Sequence, residues 1–209
     1  MKHLLLILFA VAICTANMQG QNADTAKKNN DEIKTIFKGK IKHGGYGGIS
    51  FGYSQINNKD ALSAGMRLAW IINHSFCIGF AGSGFVNDYK FYNNFNSNNL
   101  AGGYGGLLFE TIFLPKFPVH ISVPVLIGAG GISYIDNSYS SHDNDYYVKD
   151  ADAFLIVEPG IELELNLVKC IRLSLGATYR YTSSINLINT PRQVLDGLTT
   201  GFTIKFGKF

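Results

Sequence analysis

From Ile171 to Thr182 apolar and polar residues alternate without a break. Ile171, Leu173, Leu175, Ala177, Tyr179 and Tyr181 oppose Arg172, Ser174, Gly176, Thr178, Arg180 and Thr182. A period of two predicts a β-strand with one apolar and one polar face. A globular strand has about 5–6 residues, whereas a tilted strand that crosses a bilayer needs about 9–11. Length and alternation together predict a transmembrane strand with its apolar face toward lipid and its polar face toward a lumen. Tyr179 and Tyr181 lie at one end of the apolar face, where an interfacial aromatic girdle belongs. The preceding stretch, Phe154 to Asn166, repeats the pattern: Leu155, Val157, Ile161, Leu163 and Leu165 share one face, Glu158, Glu162 and Glu164 the other. Only Leu167 to Cys170 separates the two strands, which predicts an antiparallel hairpin whose glutamates meet Arg172 and Arg180 on the same face.

The same period marks six more strands, about 45–56, 61–72, 75–87, 100–114, 119–135 and 197–209. Ile49, Phe51 and Tyr53 face outward in the first. Leu62, Met66, Leu68 and Trp70 do so in the second, with Arg67 inward and Trp70 a girdle candidate. Glu110 faces inward from the fourth strand, and His120 and Ser122 from the fifth. Links after the second, fourth and sixth strands are short, while three of the other four are long or polar. That alternation belongs to a barrel with short turns at one end and long loops at the other, both termini lying at the short-turn end. The predicted fold class is all-β, an eight-stranded antiparallel up-and-down transmembrane β-barrel over residues 44–209.

Composition supports this pattern. Glycine is abundant, at 23 of 209 residues, and aromatics make up 13%, which fits closely packed curved strands. Mean hydropathy is only +0.10, and no internal apolar run has the length of a spanning helix. A net charge of +3 is too mild to imply a nucleic-acid partner. Residues 1–20 read as a secretory signal peptide: Lys2 and His3 precede an apolar core from Leu4 to Ile13, with cleavage expected after Ala16 or Gly20. Ile13 is a poor fit to a lipoprotein signal ending at Cys14. Residues 21–43, rich in Lys, Asn, Asp and Thr, predict a flexible N-terminal leader. Cys77 and Cys170 fall on opposite walls, and a disulfide needs Cα atoms within about 7 Å, so both are expected to be free.

With its signal peptide, amphipathic strands, alternating links and terminal TGFTIKFGKF, the chain resembles the small eight-stranded outer-membrane β-barrel proteins, the size class of OmpX and the OmpA membrane domain. That resemblance implies residence in the cell outer membrane among lipid and lipopolysaccharide. It also implies assembly by the barrel-assembly machinery through a C-terminal aromatic signal, here Phe202, Ile204, Phe206 and Phe209. Phe209 is out of phase with the other three, and a bulge near Gly207 would reconcile them.

An eight-stranded barrel is filled by its own side chains. Arg67, Glu110, Glu158, Glu162, Glu164, Arg172 and Arg180 are expected to form a charge network that plugs the lumen, with Lys205 a further candidate. The same charges could instead line a narrow, low-conductance ion path. His120 and Ser122 have the spacing of a lipid A deacylase-like barrel, but their parity places them inside and at the short-turn end, away from outer-leaflet lipid. His142, Asp143 and Asp145 match no metal motif, and no phosphate loop or nucleophile elbow occurs. No catalytic residue, metal or cofactor is assigned. Tyr89, Phe91, Tyr92, Phe95, Tyr139, Tyr146 and Tyr147, set among Asn, Ser and Asp, suit loops that contact an extracellular partner. The expected role is structural or cell-surface interaction.

Overall fold

The computed structural model describes residues 41–87, 99–136, 147–187 and 190–209. Eight strands are joined in sequence order and close into a barrel, β8 pairing back onto β1. They are β1 (His43–Ile56), β2 (Lys59–Ile72), β3 (Phe76–Asn87), β4 (Asn99–Phe113), β5 (Val119–Asp136), β6 (Tyr147–Val168), β7 (Ile171–Thr182) and β8 (Gly197–Lys208). Every neighbouring pair is antiparallel. The expected signal peptide, the leader up to residue 40 and the aromatic loop residues before Tyr147 lie outside the described residues, as do His142, Asp143 and Asp145.

The polarity of the barrel is inverted relative to a water-soluble one. Ile49, Phe51, Met66, Leu68, Phe80, Leu107, Ile127, Leu155, Ile161, Leu175 and Phe206 are exposed on the outer wall, whereas Glu110, Glu164, Arg172, Arg180 and Lys205 are buried inside. Trp70 lies opposite Gly45 and Leu62 opposite Tyr53, so eight residues separate the two levels. At ~3.3 Å per residue and a tilt of ~40°, that is a belt ~20 Å tall, close to the ~25 Å typical of membrane barrels.

Two short links are built on left-handed residues. Asn57 and Asn58 join β1 to β2 with φ of 54° and 58°, and Asn73 and His74 follow β2 with φ of 53° and 61°. Two consecutive left-handed residues are what a two-residue hairpin turn requires, and asparagine tolerates that region. On the wall itself, Gly106 faces Gly128 in the β4–β5 ladder. A Cβ on Gly128 would stand 2.1 Å from the Gly105 carbonyl oxygen, and one on Gly106 2.2 Å from that of Ile127, so only glycine permits this strand approach.

Several sequence boundaries are corrected. β6 begins at Tyr147, not near Phe154, and spans 22 residues. Its polar start, which sequence places in a loop, continues the ladder, with Ala151 opposite Ser133 and Asp152 opposite Ile132. β8 runs against β1 from Thr199 to Lys208 and against β7 from Gly197 to Phe206 without a register shift, so no bulge occurs at Gly207. Phe209 therefore keeps the inward phase, while Phe202 and Phe206 are exposed outside. The four expected assembly residues do not share one face.

Candidate functional site in the barrel lumen

The lumen is stratified. At the short-turn end Tyr46, Ala69, Ile71, Cys77, Leu108 and Ile112 form a buried apolar cluster, with Phe209 packed against it. The Tyr46 and Phe209 rings stack with centroids 6.1 Å apart, and the Arg172 guanidinium carbon lies 3.9 Å from the Phe209 ring centroid. The terminal phenylalanine thus helps close this mouth.

Above it sits the charge network, with Lys205 as its hub. The ammonium donates to Glu110 and Glu164 and lies 3.5 Å from Glu162 Oε2. Glu110 also accepts a hydrogen bond from the Tyr46 hydroxyl. Arg67 crosses from β2 to Glu162 at 2.6 Å. Glu164 is the most heavily used acceptor: His120 Nε2 lies 2.8 Å away, Ser122 Oγ 3.0 Å, and Ser174 Oγ and Arg172 Nη1 3.3 Å. A buried carboxylate is tolerable only when paired and hydrogen-bonded, and here both conditions hold. Glu110, Glu162 and Glu164 bring one oxygen each within 4.8 Å of one another. Carboxylates at that spacing could hold a cation, and the Lys205 ammonium supplies that charge.

The structure brings Arg67, Glu110, Glu162, Glu164 and Arg172 together around Lys205, whereas Glu158 and Arg180, expected in the same network, stand apart from it. Glu158 accepts from Thr178 Oγ1 at 2.6 Å. Arg180 donates to Ser54 Oγ at 3.1 Å and lies near the Phe85 ring, and no described carboxylate pairs with it. The expected glutamate–arginine matching across the β6–β7 hairpin therefore holds only for Glu164 and Arg172, because Glu162 reaches Arg67 of β2 and Glu158 meets the Thr178 hydroxyl of β7 in place of an arginine. Tyr46, His120 and Ser122 were missed as members. Their inward parity was readable, but Tyr46 meets Glu110 across the lumen, and the contacts of His120 and Ser122 with Glu164 depend on the β5–β6 register, neither of which can be read from one strand.

Between the network and the long-loop end lies a chamber of about 80 Å3, lined by Arg67, Glu158, Glu162 and the hydroxyls of Ser50, Ser63, Thr178 and Thr203. That is room for a few ordered waters. Toward the other mouth lies a second buried apolar cluster, which the alternation did not announce. Ile185, Leu187, Val194 and Leu195, from the link between β7 and β8, are buried against Ile56, Phe85, Leu100, Ile132, Phe154 and Ile156. The link is tied down at its ends: Asp196 Oδ1 accepts from Thr182 N and Oγ1, both at 2.7 Å, and Asn186 N donates to Asp152 Oδ2 at 2.7 Å.

His120 and Ser122 both bind Glu164 inside the barrel. Neither reaches the outer wall, so they do not form the lipid-facing pair a deacylase-like site requires. Cys77 and Cys170 are free. Of the girdle candidates, Tyr53, Tyr179 and Tyr181 are exposed toward the long-loop end and Trp70 toward the other. The Tyr179 and Tyr181 rings lie 4.6 Å apart.

No family model and no curated protein matches the chain. Among solved structures it is similar to the neisserial surface protein A, with a TM-score of 0.55 and 14% identity over 82% of this chain and 100% of that one. The Ail attachment invasion locus protein of Yersinia pestis also matches, with a TM-score of 0.40 and 10% identity over 79% and 95% of the two chains. The chain has the fold of the small eight-stranded outer-membrane barrels.

Proposed function

We propose that the protein is an integral outer-membrane β-barrel, delivered by its N-terminal signal peptide and inserted by the barrel-assembly machinery. There it plays a structural or cell-surface interaction role without catalysis. The observation that carries this is the inverted polarity: a continuous apolar outer wall around a buried ionic network. Such a surface is stable where the solvent is hydrocarbon, and a closed barrel leaves no strand edge unpaired there. Lipid and lipopolysaccharide are its immediate surroundings, and an extracellular partner would be met at the end of the barrel opposite the short turns.

The apolar cluster around Leu195 and the Lys205 cluster support a sealed lumen over an ion path. Among the described residues, two buried apolar clusters flank a chamber of about 80 Å3, which favours a closed lumen. Two measurements test the proposal. The protein extracted from outer membranes in mild detergent should migrate differently on gels before and after boiling, and in planar bilayers it should give no discrete conductance steps. A protein that is soluble without detergent refutes the membrane assignment. Reproducible conductance steps refute the sealed lumen and establish the narrow channel.

A further inference from the structure

On the outer rim of the β1–β8 seam, the β1–β2 hairpin tip and the turn at residues 191–196 bound an open groove of about 610 Å3. Ligand clefts typically measure about 300–1,000 Å3. The chemistry of this one changes with height. Its lower wall is apolar: Tyr53 and Leu198 are exposed, and Phe51 and Phe202, rings 5.5 Å apart, continue the outer wall beneath them. Its upper wall carries the amides of Gln55, Asn57, Asn58 and Gln193, and Asp196, whose Oδ1 accepts from Thr182, also lines it. Among the described residues no lysine or arginine lines it.

Each of these features selects against one class of ligand. Phosphate and sulfate are recognised by cationic donors, which this groove lacks. Amides present a donor pair and an acceptor together, which matches hydroxyls, because each of those also donates and accepts. An exposed aromatic face suits the apolar C–H side of a sugar ring. The hairpin tip points the same way. Glycine is the usual second residue of such turns, yet position 58 is asparagine with φ of 58°, and its amide is kept at the groove's lip.

We propose that this groove binds an uncharged saccharide headgroup, carried on an acyl chain that continues down the apolar wall over Phe51 and Phe202. The inference rests on the membrane reading above, since it places the groove at the height of outer-leaflet headgroups.

The test uses the full chain folded in dodecyldimethylamine-oxide micelles, which carry neither sugar nor phosphate. Dodecyl maltoside, free maltose and dodecyl phosphate are titrated separately while the methyl NMR signals of Leu198 and Val194 are followed. The control variant combines Asn57→Gly and Asn58→Gly, which keeps the left-handed turn and removes both amides. The expected result is saturable shifts with the maltoside, weakened at least roughly fivefold in the variant, the effect of losing about one hydrogen bond. The same response to maltose alone would show that the sugar suffices; a response to the maltoside only would show that the chain contributes. The proposal is overturned if neither sugar probe gives a saturable shift, if the glycine variant responds like the parent, or if dodecyl phosphate binds instead. Boiled and unboiled mobility of the same sample separates the two readings. A heat-modifiable protein that ignores both sugars loses the groove and keeps the membrane assignment.

Discussion

Removing the Lys205 ammonium while keeping its volume, as Lys205→Met, exposes how far the lumen depends on one charge. Lys205 donates to Glu110 and Glu164 and lies 3.5 Å from Glu162. The substitution leaves three buried carboxylates with Arg67, Arg172, His120 and the hydroxyls of Tyr46, Ser122 and Ser174 as their remaining partners. Taking one partner from a buried ion pair costs about 3–5 kcal/mol. Small domains have only about 5–15 kcal/mol of stability in all, so the variant should be close to unfolding. The assay is equilibrium urea unfolding in micelles, followed by fluorescence of Trp70, the sole tryptophan. Glu110→Gln and the double variant complete a cycle. Once the lysine is gone, removing one carboxylate charge should restore stability, giving a coupling of about 1–3 kcal/mol. A loss below about 1 kcal/mol for Lys205→Met, or no coupling with Glu110, would refute the idea that this cluster holds the lumen together.

Further outcomes are expected elsewhere in the barrel. Glu164→Gln removes the charge that Arg172, Lys205 and His120 share and should cost about 2–4 kcal/mol in the same unfolding assay. Gly128→Val should fail to assemble, because its Cβ would lie 2.1 Å from a carbonyl oxygen, whereas Gly84→Ala, with its nearest neighbour at 3.8 Å, should fold normally; heat modifiability distinguishes the two. Leu195→Asp puts a charge into the apolar plug and should raise amide exchange at Ile185 and Leu187 at least about tenfold while the β-barrel spectrum persists. Loss of that spectrum would show that plug and barrel fold as one unit.

Strand positions, face assignments and closure were legible because a lipid-facing strand must alternate, and a one-residue slip would turn Met66, Leu68 and Trp70 into the lumen. The contents of the lumen were less legible. Inward positions were expected to be polar, yet Ile56, Leu108, Ile132 and Ile156 are buried there. Alternation names the two faces of a strand without saying what fills a closed interior. Near the two ends of this barrel the interior is filled by apolar side chains, as in an ordinary core. The 183–196 segment was opaque for a related reason. Its apolar residues carry no period, so nothing local marks Ile185 and Leu195 as buried. Lys205 was readable as a further candidate for the network, but its phase between Ile204 and Phe206 gives only its face and not the carboxylates it meets across the lumen. The polar start of β6 was masked by composition, since the stretch up to Asp150 reads as a loop until Tyr134 pairs with it.

The central claim is that the apolar outer wall lies in hydrocarbon, and Trp70 offers the most direct test. It is 53% exposed on the outer wall and about 20 Å along the axis from the level of Tyr53 by strand geometry. The folded protein in liposomes containing lipids brominated at different depths should show Trp70 fluorescence quenched, most strongly by bromines near the interface and less by those at the bilayer centre. Fluorescence indifferent to every brominated lipid, from a protein that stays dispersed without detergent, would place Trp70 in water and contradict the inverted barrel.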